Sequence, residues 1–365
     1  MKNPDRRQVI GWASAAAVAS HFPAMAQVQL SLAEKVGRML LLGFIGSRPD
    51  TGGADIVADH LQERRIGGVL FLRHNVRSRE GAEGLAARFR AIDPKAWMAI
   101  DQEGGLVQRL SRDLGYSWIP RASQVVEERG IVGARELYAL AAREFRAAGF
   151  NMNLAPVADL HDPENAVIGR HGRSYGTTGQ DVAAYAATFI EAFETEGSVC
   201  VIKHFPGHGR SRGDSHDGFV DISETWSYEE LDPFRRLVEA NSARCIMGGH
   251  LINRNLDPSG LPATFSSAML DDLLRTDLEF KGVVMTDDLD MAAIRENYDQ
   301  REAVLRSIEA GNDIIMLSNS ARPDPELPQR IAGWVEEAIE QGRFDEARID
   351  RSVARIEALR MTRPG

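Results

Sequence analysis

The chain has 365 residues, 43% of them hydrophobic and 7% aromatic, the composition of a globular enzyme rather than of a disordered segment. Its formal net charge of -10 argues against nucleic acid and anionic membrane surfaces as partners. Two cysteines, Cys200 and Cys245, are too few for a disulfide framework and lack metal-type spacing. Both sit in apolar runs, where a thiol is expected to be buried and unreactive.

Residues 1–26 read as an export signal: Arg6-Arg7, an apolar run from Val9 to Ala19, then Ala24-Met25-Ala26 before Gln27. The adjacent arginines resemble a twin-arginine signal, although Asp5 before them and Val9-Ile10 after them depart from that pattern. An ordinary secretory signal or an unstructured leader is the alternative. The apolar run is too short to span a bilayer, and no longer one follows. No cysteine follows the cleavage site, so a lipid anchor is not expected. The protein is therefore expected in the periplasm, with residues 27–365 as one catalytic domain.

Short apolar runs then alternate with helical patterns. The expected strands are Met39–Phe44, Gly68–Leu72, Ala96–Ile100, Asn151–Ala155, Cys200–Lys203, Cys245–Gly248, Gly282–Thr286 and Asp313–Leu317. They are rich in Val, Ile, Leu and Met without polar alternation, as strands covered on both faces should be. Amphipathic segments such as Gly133–Ala148, Gln180–Glu196, Tyr228–Asn241 and Arg301–Ala310 lie between them. This alternation implies α/β architecture with a parallel sheet, and eight strands point to a single-domain (β/α)8 TIM-type barrel. A doubly wound open sheet is the alternative, weakened by the lack of a Gly-x-Gly-x-x-Gly turn after the first strand. The stretch from Pro328 to Arg360 reads as helices closing the barrel.

Polar residues gather where strands end. The third strand runs into Asp101-Gln102-Glu103-Gly104-Gly105, the fifth into His204-Phe205-Pro206-Gly207-His208-Gly209, the sixth into Gly249-His250 and the seventh into Asp287-Asp288. In such barrels the C-terminal strand ends carry the active site. Asp287, at the mouth, suits nucleophilic attack on an anomeric carbon, because an anion stabilises an oxocarbenium-like transition state. Read alone it could equally be structural, and Asp288 is expected to bond backbone N–H groups. In the loop after the fifth strand, Asp214 and His216 are two residues apart, so the carboxylate can orient the imidazole for general acid catalysis. A loop-closing hydrogen bond is the other reading of that pair.

Lys203 and His204 could hydrogen-bond sugar hydroxyls or form an internal salt bridge. Asp101, followed by paired glycines and Arg109, suits two vicinal hydroxyls of a sugar ring. Arg173, in Gly172-Arg173-Ser174-Tyr175-Gly176, could bind an acidic or acetamido-bearing ligand or brace loops. Metal binding is not expected, since neither an early His-x-His nor His-Glu-x-x-His is present. His21, His60, His74, His161 and His171 read as surface or structural residues.

Taken in order, these motifs resemble glycoside hydrolase family 3, specifically its bacterial β-N-acetylhexosaminidases. The resemblance runs from about Leu30 to the C-terminal helix. It rests on Lys203-His-Phe-Pro-Gly-His-Gly209 with Asp214-Ser-His216, on Asp101-Gln-Glu-Gly-Gly105 and on Thr286-Asp-Asp-Leu-Asp-Met291. It implies Asp287 as nucleophile and His216, oriented by Asp214, as acid/base, because the chain has no room for the second domain that supplies a glutamate in many members. It also implies N-acetylglucosamine binding by Asp101, Arg109, Arg173, Lys203 and His204, without cofactor or metal, in an enzyme expected to be a monomer. Terminal N-acetylglucosamine of peptidoglycan fragments is the substrate it suggests. Two departures stand out: Arg210-Ser211-Arg212 follows Gly209 where an acidic residue is usual, and Asp217-Gly218-Phe219-Val220 lacks the expected Leu-Pro. The basic pair keeps a phosphorylase as an alternative, beside a β-glucosidase and a sugar-binding barrel without turnover.

Overall fold

The computed structural model describes residues 30–213 and 218–362. The expected leader, residues 1–26, and the expected acid/base pair, Asp214 and His216, lie outside the described residues.

Eight parallel strands form the centre: β1 (Leu40–Gly43), β2 (Gly68–Phe71), β3 (Trp97–Ile100), β4 (Met152–Asn153), β5 (Val199–Phe205), β6 (Cys245–Gly248), β7 (Val283–Thr286) and β8 (Ile315–Leu317). Each pairs with its neighbour in chain order. β8 returns to β1 through Leu40↔Ile315, and the bridge Met285↔Ile314 closes the circle with β7. The sheet thus curls into a nearly closed barrel, which rules out the open-sheet alternative. Every residue of the eight strands is buried, as the lack of polar alternation required.

Local chemistry sets where the elements begin and end. Ser31 caps the helix Leu32–Met39, accepting from the Glu34 N–H while Glu34 bonds back to the Ser31 N–H. Thr178 and Asp299 cap Gly179–Thr195 and Gln300–Glu309 in the same sense. The expected helix Gly133–Ala148 starts earlier, at Ala122, and is interrupted at Gly130, whose φ of 59° breaks the helical path. The expected Tyr228–Asn241 divides into a tight turn, Tyr228–Leu231, and a helix, Asp232–Glu239, with Pro233 in its first turn. The closing helices Leu327–Glu340 and Glu346–Met361 pack on Leu32–Met39, joining the two ends of the barrel.

The fifth strand departs most usefully from expectation. It continues past Lys203 to Phe205, and its register against β6 shifts between Ile202 and Phe205 by one extra residue. In a regular strand, adjacent side chains point to opposite faces. This bulge re-aims them, so Lys203 and His204 both reach the barrel mouth. The Lys203–His204 and Phe205–Pro206 peptide bonds are cis.

Candidate active site

At the C-terminal ends of the strands lies a cavity of about 450 Å³. Leu70, Met247 and Met316 form its apolar floor, and the exposed Arg295 and Ala321 its rim. Asp101, Arg109, Arg173, Lys203, His204 and Asp287 all line it, so the structure brings together the six expected site residues that it describes.

One ion network spans the wall. Arg109 Nη2 lies 3.1 Å from Asp101 Oδ2, and Lys203 Nζ donates to Asp101 Oδ1 at 2.8 Å. Lys203 Nζ also lies 2.8 Å from Glu103 Oε1. Arg173 grips Glu103 in a bidentate pair along one edge of its guanidinium, Nε to Oε2 at 2.9 Å and Nη2 to Oε1 at 2.8 Å. Burial opposes ionisation of both carboxyls. The charges of Lys203 and Arg109 still hold Asp101 below its ordinary value, and those of Arg173 and Lys203 hold Glu103 far below. Arg173 and Lys203 therefore brace the wall and face the cavity at once. Glu103, central to this network, had no assigned role in the sequence; its place two residues after Asp101 on the β3 loop was the only signal.

A second network orients His204. Asp159 is fully buried; its Oδ2 is 2.7 Å from His204 Nδ1, and its Oδ1 accepts the His204 and His208 N–H groups at 3.2 and 2.8 Å. Burial opposes the Asp159 charge, but His204 and its hydrogen bond prevail and lower its pKa. With Nδ1 so committed, His204 turns Nε2 to any ligand. His208 also lines the cavity, with Nδ1 2.6 Å from Ser211 Oγ. Burial and the neighbouring His204 push its imidazole down to about 4, so it is neutral at physiological pH.

Asp287 follows β7 directly, its N–H donating to Gly248 O and its Oδ1 accepting the Asp288 N–H at 2.8 Å. Burial raises its pKa, but His250, His204, the Asp288 N–H and Lys203 outweigh that and keep the carboxylate ionised. Asp288 behaves as a backbone anchor: its Oδ1 accepts from Asp290 N at 3.0 Å and Ser318 N at 2.8 Å, tying β7 to β8. Burial pushes its pKa up to about 7. Adjacent carboxyls thus stand in opposite protonation regimes, one facing cations and the other facing amides. His250 is likewise structural, bonded between Thr264 Oγ1 at 2.8 Å and Asp288 O at 2.9 Å. Among the described residues, no group of three or more His, Cys, Asp and Glu is arranged to hold a metal ion.

Residues 31–359 match the Glycosyl hydrolase family 3 N terminal domain. The chain belongs to glycoside hydrolase family 3. Within that family it is 35% identical over 277 residues to beta-hexosaminidase LpqI of Mycobacterium tuberculosis, covering 73% of this chain and 69% of that one. A beta-hexosaminidase of Nitrosomonas eutropha is 32% identical, covering 79% and 83% of the two chains. Among solved structures, a family 3 beta-N-acetylglucosaminidase from Paenibacillus superposes with TM-score 0.81 at 34% identity over 92% of this chain. The present chain spans 63% of that protein, less than two thirds of its length. A beta-N-acetylhexosaminidase from Beutenbergia cavernae gives TM-score 0.81 at 27% identity over 91% of this chain and 99% of its own.

Proposed function

We propose that this glycoside hydrolase is a retaining β-N-acetylhexosaminidase that releases terminal N-acetylglucosamine, with Asp287 as nucleophile. The observation that carries the reading is Asp287 itself. It is an ionised carboxylate at the mouth of β7, in a cavity whose opposite wall presents Asp101, Lys203, His204 and Arg173 as hydrogen-bonding groups. In the first step the Asp287 carboxylate attacks the anomeric carbon while His216, oriented by Asp214, protonates the departing oxygen. In the second, His216 takes a proton from water, which displaces Asp287 and leaves the sugar with retained configuration. The names of the relatives above support the N-acetylhexosamine assignment, and they favour it over a β-glucosidase.

The phosphorylase alternative needed free cations for phosphate. Both candidates are occupied: Arg212 pairs with Asp162 at 3.0 Å and Glu164 at 3.1 Å, and Arg210 with Glu229 at 2.5 Å. This favours water as the second-step acceptor. Peptidoglycan fragments as substrate, export to the periplasm by the leader and a monomeric state complete the reading. No helix among the described residues is long and apolar enough to cross a membrane.

A panel of nitrophenyl glycosides, assayed with and without phosphate, tests the assignment. Fast release from the N-acetylglucosaminide, unaffected by phosphate, is expected; preference for the glucoside or a sugar 1-phosphate product would overturn it. Asp287→Ala should lower turnover by several orders of magnitude, and a slow fluorinated sugar should leave its mass on the Asp287 peptide. Cell fractionation with N-terminal sequencing tests the export reading.

A further inference from the structure

Glu230 is fully buried and lies outside the cavity, yet it holds the loop that leaves β5. From the tight turn Tyr228–Leu231 its carboxylate reaches under that loop. Oε1 accepts the Arg210 N–H at 2.8 Å, and Oε2 the Gly209 N–H at 3.3 Å. The backbone is shaped around it. Gly207 has φ of +118°, and a Cβ there would lie 2.6 Å from Glu230 Cβ and 2.8 Å from its Oε2. A Cβ on Gly209 would lie 2.2 Å from Leu160 O on the other side. The turn is tied on that side too, where Asn165 Nδ2 donates to His208 O at 2.7 Å and to Ser211 O at 3.2 Å.

Two adjacent N–H groups pointing one way need two acceptors side by side. A carboxylate supplies them and an amide of the same shape supplies only one. Burying that charge is unfavourable, and no cation forms an ion pair with Glu230 among the described residues. A brace serving stability alone would do better with uncharged groups. What this carboxylate fixes is the stretch immediately before the loop's acid/base residues, on the same turn whose His208 faces the cavity.

We propose that Glu230 is the positioning residue of the β5 loop: its two acceptor oxygens fix the turn His208–Gly209–Arg210, the last anchored turn before Asp214 and His216 in the sequence. The inference rests on the acid/base role assigned above to His216. Ionisation matters, because protonation turns one acceptor oxygen into a donor facing an N–H. The charged groups facing Glu230 are Asp159, from the loop after β4, and Arg210, from the β5 loop. Burial and then Asp159 push its pKa up to about 7, against the Arg210 and Gly209 N–H groups and the Arg210 charge. Asp159 itself stays charged beside His204 and His208.

Glu230→Gln preserves the shape and leaves one N–H facing an NH₂ group. Its kcat/KM on nitrophenyl N-acetylglucosaminide should fall roughly ten- to hundredfold, mostly in kcat, with the thermal midpoint near that of the wild type. The wild-type decline as pH falls through about 7 should disappear from the residual activity of the variant. Trypsin provides a readout independent of turnover: cleavage after Arg210 and Arg212 in the otherwise folded chain should be at least about tenfold faster in the variant. Should Glu230→Gln fail to fold, Gly207→Ala, which drives a Cβ into Glu230, should give the same fall in kcat/KM and the same faster trypsin cleavage. Wild-type kcat/KM, pH profile and trypsin protection in the folded variant would overturn the proposal. A wild-type protein without turnover would refute the hydrolase reading alone, since the trypsin comparison still decides whether Glu230 fixes the turn.

Discussion

Replacing Glu103 by Gln should expose how far the ion network supports both fold and site. Glu103 accepts two parallel hydrogen bonds from Arg173 and lies 2.8 Å from Lys203 Nζ, and its side chain is only 7% exposed. The amide keeps the volume and removes the charge. Arg173 then loses its ion-pair partner, and Lys203 and Arg109 are left to share Asp101, with Lys203 and Arg173 both largely buried. Breaking a buried pair by removing one partner costs about 3–5 kcal/mol, because the remaining charge is uncompensated. In urea this should lower the unfolding midpoint by about 1 M or more. The pH dependence has a definite sign. Glu103 is depressed in the fold, so its stabilisation is complete above the ordinary glutamate value and is lost as pH falls toward the depressed one. The deficit of the variant should therefore be full at neutral pH and shrink only in acid. Released from its carboxylate, Arg173 should also lose its aim, raising KM and lowering kcat/KM by roughly a hundredfold. Paired urea titrations and kinetics on the nitrophenyl substrate check both halves. A midpoint within experimental error of wild type, together with an unchanged KM, would refute the claim that this network is structurally and functionally one unit.

At the far end of the barrel, Asp313 is fully buried and bonds Arg275 at 2.7 Å, Ser352 Oγ at 2.7 Å and Arg355 at 3.1 Å. Asp313→Asn should cost about 3–5 kcal/mol in urea unfolding while leaving KM at its wild-type value, since Asp313 is remote from the cavity lining. Asp288→Asn should do the reverse. Both backbone bonds go to one oxygen, which the amide retains, while the charge whose pKa is raised to about 7 disappears. The variant should gain on the order of 2–4 kcal/mol at about pH 8, a gain that shrinks toward about pH 5, where the wild-type carboxyl is already protonated.

The barrel was legible because strands covered on both faces cannot hide their composition. All eight were found, one with its bounds as expected and the others with boundaries off by one or two residues. The errors have local causes. Pro156, which has no N–H for the ladder, follows the expected fourth strand, and the helix break at Gly130 comes from a glycine tolerated on either side of φ = 0. Residues at strand ends were legible too, since strand count alone sends Asp101, Lys203, His204 and Asp287 to one mouth. What the sequence could not reveal is the support behind them. Glu103 and Asp159 act across sequence separations of 70 and 45 residues, and Glu230 sits in what reads as an ordinary amphipathic surface helix. A carboxylate that turns inward to hold backbone amides has the same one-letter signature as one that faces water.

These supports divide into two kinds, and the division makes the optimum for stability differ from the optimum for function. Asp101, Glu103, Asp159 and Asp287 face cations or histidines and are depressed; their stabilisation is present above ordinary carboxylate values and is lost only in strong acid. Glu230 and Asp288 are buried, hold amides and lie near other carboxylates, Asp159 and Asp290, and are raised to about 7. Their protons stay on in the fold after they have left the unfolded chain, so stability declines as pH rises from the ordinary carboxylate range through about 7. The first set is complete just above the ordinary carboxylate values of about 4 and the second declines from there, so these groups together put the stability maximum near about pH 4–5. Activity needs Glu230 ionised beneath the loop, so kcat/KM should still be rising there and peak on the alkaline side of the stability maximum. Urea midpoints and kcat/KM measured across the same buffers should therefore give two curves displaced along the pH axis. Coincident maxima, or stability still climbing through about pH 8, would mean that Glu230 and Asp288 are ionised in the fold at their ordinary values, and would remove the basis for treating them as charges held against burial for the sake of the site.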